Sequence, residues 1–118
     1  MSFIYIASPF SHPEESIMYS RYIMVTEYVA QRLAAGEVVF SPITHSYLPK
    51  KMRDLPHTWE FWSQIDFVYI DAASALRVLR LDGWKESVGV QDEIRYALEK
   101  GKIVEYADYV PESPFELV

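Results

Sequence analysis

Two carboxylates in this 118-residue chain occupy positions where carboxylates are rarely found without partners. Glu93 flanks the apolar stripe Val90, Ile94, Ala97 and Leu98, within the first turn or two of a predicted helix. Asp66 lies between Ile65 and Tyr69, inside the stripe Trp62, Ile65, Tyr69 and Ala73 of another. A buried carboxylate needs hydrogen bonds or a counter-charge, so each is either a bonded structural group or an active-site group. Ion-pair networks produce the same placement, and position alone leaves both readings open. The chemistry open to an active-site carboxylate is proton transfer or nucleophilic attack. One other common nucleophile is missing, since the chain has no cysteine. That excludes a thiol nucleophile, a disulfide framework and any Cys-based zinc site. His57 has Glu60 nearby but no second histidine at metal-ligand spacing, so neither metal nor cofactor is expected.

The elements that must position these groups alternate. Phe3-Ile4-Tyr5-Ile6-Ala7 is a short β-forming run ended by Ser8-Pro9. Pro13 followed by Glu14 and Glu15 starts a helix, whose stripe of Met18, Tyr22, Val25, Val29 and Leu33 stops at Gly36. Glu37 to Ser41 reads as a second strand, and Thr44 to Pro56 as a loop with two prolines and three basic residues. Thr58 caps the next helix; Ala75 to Leu81 is a third strand, ended by Asp82-Gly83. The helix of Glu93 closes at Gly101, Lys102 to Tyr106 is a fourth strand, and residues from about 107 to 118 read as a tail. The order β-α-β-α-β-α-β predicts one α/β domain, a flavodoxin- or Rossmann-like three-layer sandwich. Its parallel sheet should have four or five strands in the order 2-1-3-4(-5).

In such sheets ligands bind beyond the carboxyl ends of the strands, where the strand order reverses. Three loops should converge there: Ala7 to His12, Ser41 to Tyr47, and Asp82 to Gly89. They bring Ser8, His12, His45, Asp82, Trp84, Ser87 and Gly89 toward one edge. Trp84 could stack on a base or cover the sheet edge. A loop histidine such as His12 or His45 is more often simply solvated. Trp59 and Trp62, at helical spacing, read as core, and Arg21 as a surface ion pair with Glu14, Glu15 or Glu27.

The net charge of −6 excludes wrapping a nucleic-acid polymer, which takes a basic stripe, but not holding a single nucleotide. No apolar run approaches the ~20 residues of a membrane span, so no membrane partner and a cytoplasmic location are expected.

The segment Leu81 to Ile94, with Ser87-x-Gly89-x-x-x-Glu93 at its centre, resembles the site segment of the nucleoside 2-deoxyribosyltransferase superfamily. Ile4-Tyr5-Ile6-Ala7-Ser8-Pro9 is similar to that superfamily's first strand and loop. Nearest in pattern is a branch of unknown function with Tyr-x-Ala-Ser-Pro and Gly-Trp-x-x-Ser-x-Gly-Val. The resemblance covers nearly the whole chain. It implies that Glu93 attacks the anomeric carbon and expels a base, as in retaining glycosidases, and that Tyr5 contacts this nucleophile. Asp66 would lie near sugar and base as a proton donor. Ser87 and Gly89 would hold a 5′-phosphate at a helix start, whose positive end would also keep Glu93 ionised. The small-molecule partner would be a nucleoside or its 5′-monophosphate.

Several features depart from that pattern. The first loop, Ser8-Pro9-Phe10-Ser11-His12-Pro13, lacks the glycines of the monophosphate N-hydrolases. Gln91-Asp92 precedes Glu93 where relatives carry a small residue and an aromatic. Asp82-Gly83-Trp84 lengthens its loop by about one residue relative to the transferases. A homo-oligomer is expected, because family members commonly associate and 15% aromatic residues are many for so short a chain to hide. The alternative to an enzyme is a nucleotide-sensing module that keeps the pocket without turnover.

Overall fold

Ile4–Ala7 forms strand β1, and its alternating side chains divide the interior in two. The computed structural model describes residues 2–112, and the elements follow as α1 Glu15–Ala34, β2 Val39–Phe40, α2 Pro42–Arg53, α3 Trp59–Ala72, β3 Ala75–Leu79, α4 Val88–Glu99 and β4 Ile103–Ala107. Among the described residues the sheet has four strands, all parallel, in the order β2-β1-β3-β4. This is the α/β architecture and strand order that the sequence pattern predicts, with the reversal between β1 and β3.

Parallel strands covered on both faces need apolar side chains on both. Tyr5, Ala7, Leu76 and Val78 pack with Ile70 of α3, with Ala73 just after it, and with Val90 and Ala97 of α4. Ile6, Val39 and Leu79 pack with Val25, Tyr28 and Val29 of α1. Arg77 interrupts the second face, and three partners hold it there. Its guanidinium donates to both Glu37 carboxylate oxygens at 2.9 and 2.8 Å, to the Tyr28 hydroxyl at 3.0 Å and to Glu105 at 3.2 Å. These bonds, with a further one from Arg32, pull the Glu37 pKa from 4.5 down to about 2. A folded-state pKa below the unfolded one means the charged carboxylate favours the fold. The Glu37 contribution is therefore complete above pH 4.5 and is lost as pH falls toward 2. In acid titrations of stability followed by circular dichroism, Glu37→Gln should flatten that window and lower stability at neutral pH.

Three elements differ from the sequence reading. Residues 44 to 53 are helical, not loop. Ser41 caps α2 by accepting from the Thr44 N–H at 3.1 Å, and Pro42 sits in the first turn, where its missing N–H costs nothing. Pro49, inside the helix, lies on an exposed position; Lys50, Lys51 and Arg53 complement the negative end of the helix dipole. In α3 the buried face runs through Asp66 and Ile70, rotated from the expected stripe, and Ile65 is exposed. The outer ends of two other stripes, Leu33 and Leu98, are also exposed. The expected tail begins as packed chain: the Tyr109 hydroxyl donates to Glu27, and Gln31 donates to the Val110 carbonyl. Residues 113–118 of that tail lie outside the described residues. Among the described residues no helix is long and apolar enough to cross a membrane.

Candidate active site

Three elements meet around one pair of carboxyls. Tyr5 comes from the interior of β1 and is fully buried; Asp66 comes from the middle of α3 and Glu93 from the second turn of α4, both buried. The Tyr5 hydroxyl donates a hydrogen bond to a Glu93 carboxylate oxygen. Burial pushes both carboxyls toward their neutral forms. Asp66 rises from 3.8 to about 7, held back by the Tyr5 hydroxyl. Glu93 rises well above the usual carboxylate range, first through burial and then through the charges of Asp66 and Asp92. The same surroundings, burial first and the two acids next, push the Tyr5 hydroxyl up as well, so it stays a donor at neutral pH. Two interacting buried carboxyls release their protons as a pair, and this pair gains its first negative charge as pH rises through about 7.

The helix dipole contributes little here, contrary to the sequence reading. With α4 starting at Val88, Glu93 lies beyond the first turn, where the dipole effect has largely decayed. Tyr5, through its hydrogen bond, is the group that favours the ionised form of Glu93.

The pair opens into a cavity of about 320 Å³, within the range of small-molecule sites. Its wall from α2 is one helical face: Ile43, Ser46, Tyr47 and Lys50 follow the i, i+3, i+4, i+7 spacing. The wall from α3 is another, with Trp59 and Trp62 in line with Asp66. Both tryptophans are thus cavity walls, not core. Trp59 donates from Nε1 to Asp92 at 2.8 Å, and Trp62 to the Pro56 carbonyl at 2.7 Å. Asp92 is therefore the anchor of a cavity wall. The start of α4 packs close to the Trp59 ring: a Cβ at Gly89 would lie in ordinary van der Waals contact with it, at 3.5 Å.

Of the residues selected from sequence, Ser8, Asp66, Ser87, Gly89 and Glu93 line this cavity, and Tyr5 bonds to Glu93 behind it. The Ser8 hydroxyl is buried and lacks a hydrogen-bond partner among the described residues. Ser87 caps α4, accepting from the Val90 N–H at 3.2 Å. The structure does not bring His45, Asp82 or Trp84 to the cavity lining. His45 lies off the cavity face of α2, exposed, with Nδ1 3.0 Å from the Ser46 hydroxyl. Trp84 covers the apolar cluster beneath α3 and α4, its ring 5.7 Å from that of Tyr106. Asp82 offers its carbonyl to Arg21 at 3.1 Å. His12 is a structural group, accepting from the Glu14 N–H at 3.0 Å where α1 begins.

Sequence reading missed Phe10, Tyr47, Lys50, Trp59, Trp62 and His57 as lining residues. Two signals were present: the Ser41-Pro42 cap, which announces α2, and the i, i+4 relation between Trp62 and Asp66. Arg21 was misread as well. Its guanidinium donates to the carbonyls of Phe10 at 3.2 Å and Ser11 at 3.0 Å as well as to Asp82, tying the loop after β1 to the loop after β3. Gly83 sits beside it at φ +91°, a conformation that side-chain-bearing residues rarely adopt, and a Cβ there would also displace the Arg21 guanidinium, 2.5 Å away. Arg21→Met should leave these carbonyls to water and cost about 1–2 kcal/mol. Hydrogen exchange should then quicken in residues 10–12 and 82–87 before it does in the sheet.

Among the described residues no group of three His, Asp or Glu side chains is placed to hold a metal ion. No match was found among curated proteins. A family model described as "Domain of unknown function (DUF1937)" matches residues 2–108. That match spans both strands of the reversal, every wall of the cavity and the Tyr5–Glu93 pair, and the chain belongs to this family.

Proposed function

We propose that the protein cleaves or transfers the N-glycosidic bond of a nucleoside or its 5′-monophosphate, with Glu93 as nucleophile. The observation that carries this reading is the Tyr5 hydrogen bond to Glu93, beside a second buried carboxyl, in a cavity walled by aromatic rings. In the singly protonated pair, with the charge on Glu93 and the proton on Asp66, the Glu93 carboxylate forms a bond to the anomeric carbon while the bond to the base nitrogen breaks. The electron pair leaves with the base, which takes the proton held by Asp66. Water or a second base then attacks the glycosyl ester, gives its proton back to Asp66 and frees Glu93. Tyr5 orients the nucleophile. Trp59, Trp62, Phe10 and Tyr47 offer faces and edges on which a base can pack. The partnerless Ser8 hydroxyl suits a sugar hydroxyl or phosphate oxygen, since a buried donor left unpaired is costly. We place the reaction in the cytoplasm, which fits a chain without cysteine.

The test is incubation of the protein with a panel of nucleosides, deoxynucleosides and their 5′-monophosphates, chromatographed for free base with and without an acceptor base. Release of base from a subset is the expected outcome. Tight binding of a nucleotide with no release would instead make the protein a sensing module.

A further inference from the structure

The cavity is polarised. The reactive carboxyls, Ser87 and Glu86 lie on the walls from α3 and α4, while Lys50 and His57 lie at the end of α2 and in the segment that follows it. Lys50 and His57 also line a second hollow of about 430 Å³ that shares Phe10, Met18 and Tyr47 with the first, so the two are adjoining parts of one groove. Lys50 is partly buried, and burial with neighbouring Lys51 lowers its pKa. Among the described residues it has no ion pair, whereas Lys51 is paired with Glu15. Asp54 and Glu15, the latter paired with Lys51, line the second hollow and are exposed; neither lines the main cavity. The Lys50 ammonium stands 2.8 Å from His57 Nδ1. An ammonium can only donate, so Nδ1 accepts and the ring proton sits on Nε2, a second donor beside the first.

We infer that Lys50 and His57 form an anion seat, and that the ligand's phosphate faces this end of the groove, not the start of α4. Electrostatics decides between the two ends. At the start of α4 a phosphate would approach Glu86 and the charge shared by Asp66 and Glu93, and the Val90 N–H there is already taken by the Ser87 hydroxyl oxygen. At Lys50 it meets an unpaired, partly desolvated cation, where a charge-assisted hydrogen bond is strong. The inference deepens the N-glycoside reading by fixing which way round the substrate lies.

The experiment is a titration of the full chain with deoxyribose, deoxyribose 5-phosphate and inorganic pyrophosphate, followed by tryptophan fluorescence, since Trp59 and Trp62 line the cavity. The sugar phosphate should bind at least about tenfold more tightly than the sugar, the worth of one hydrogen bond to a charged group. Lys50→Met should abolish that preference, Lys50→Arg should restore most of it, and Ser87→Ala should keep it. Equal affinity for both sugars in the wild type, a preference that survives Lys50→Met, or one lost only in Ser87→Ala would each overturn the inference. Pyrophosphate separates this inference from the reaction. If its binding depends on Lys50 while no nucleotide releases base, the seat stands and the N-glycoside reading fails. If base is released while anion binding ignores Lys50, the reverse holds.

Discussion

Glu93→Gln should eliminate release of base by about four orders of magnitude or more while the protein stays folded and still binds its ligand. The amide keeps the size of the carboxylate and its carbonyl can accept the Tyr5 hydrogen bond, so the packing around β1 and α4 survives. What it lacks is a nucleophilic oxygen. Because burial penalises the charged carboxylate, the neutral amide should fold at least as stably as the wild type. Chromatographic assay beside thermal denaturation checks both halves. Near-normal base release from a folded variant would remove Glu93 from the mechanism and leave the cavity to bind without covalent chemistry.

Asp66→Asn should separate activity from stability in opposite directions. Loss of a proton donor lowers turnover by about 10²–10⁴-fold for substrates whose base leaves poorly without protonation. Substrates whose base departs readily should lose much less, and that selectivity distinguishes a donor from a group that merely shapes the cavity. Stability should move the other way. Asp66 has a folded pKa of about 7 against 3.8 in the unfolded chain, so the folded protein binds the extra proton. Wild-type stability then falls as pH rises from about 4 to about 7 and levels off above, where the buried group must carry charge. Asparagine removes this slope, so the variant should gain most over wild type at pH 8 and nothing near pH 4. Turnover in the wild type should rise as pH passes through about 7, where the pair sheds its first proton and gains the single negative charge that attack requires. Melting temperatures and rates across that range test both.

The parts of this molecule legible in its sequence are those where one signal acts alone. The β-α alternation and strand order follow from apolar runs and their punctuation. Asp66 and Glu93 stood out because a carboxylate in an apolar stripe has few explanations. Helix α2 was hidden because its two prolines are breakers by composition, yet one occupies the first turn and the other an exposed position. With α2 read as a loop, the spacing of Ile43, Ser46, Tyr47 and Lys50 carried no meaning. Tyr5 is invisible to pattern alone, since an aromatic residue in a β-run is ordinary core, and only the resemblance singled it out. The rule that ligands bind beyond strand ends selects backbone, not side-chain direction. It chose the correct loops, and with them Ser8, Ser87 and Gly89. It could not tell that His45 turns away from the cavity or that Trp84 lies down over the core.

The bond between Tyr5 and Glu93 joins residues 88 positions apart, one in the first strand and one in the last helix. Contacts so distant along the chain are slow to form, because a large loop must close before they give anything back. A nascent chain that has reached only α3 holds Tyr5 without its acceptor, the group we propose as the nucleophile. The Tyr5–Glu93 bond is thus acquired late in synthesis, and no fragment of the polypeptide shorter than this span can carry it.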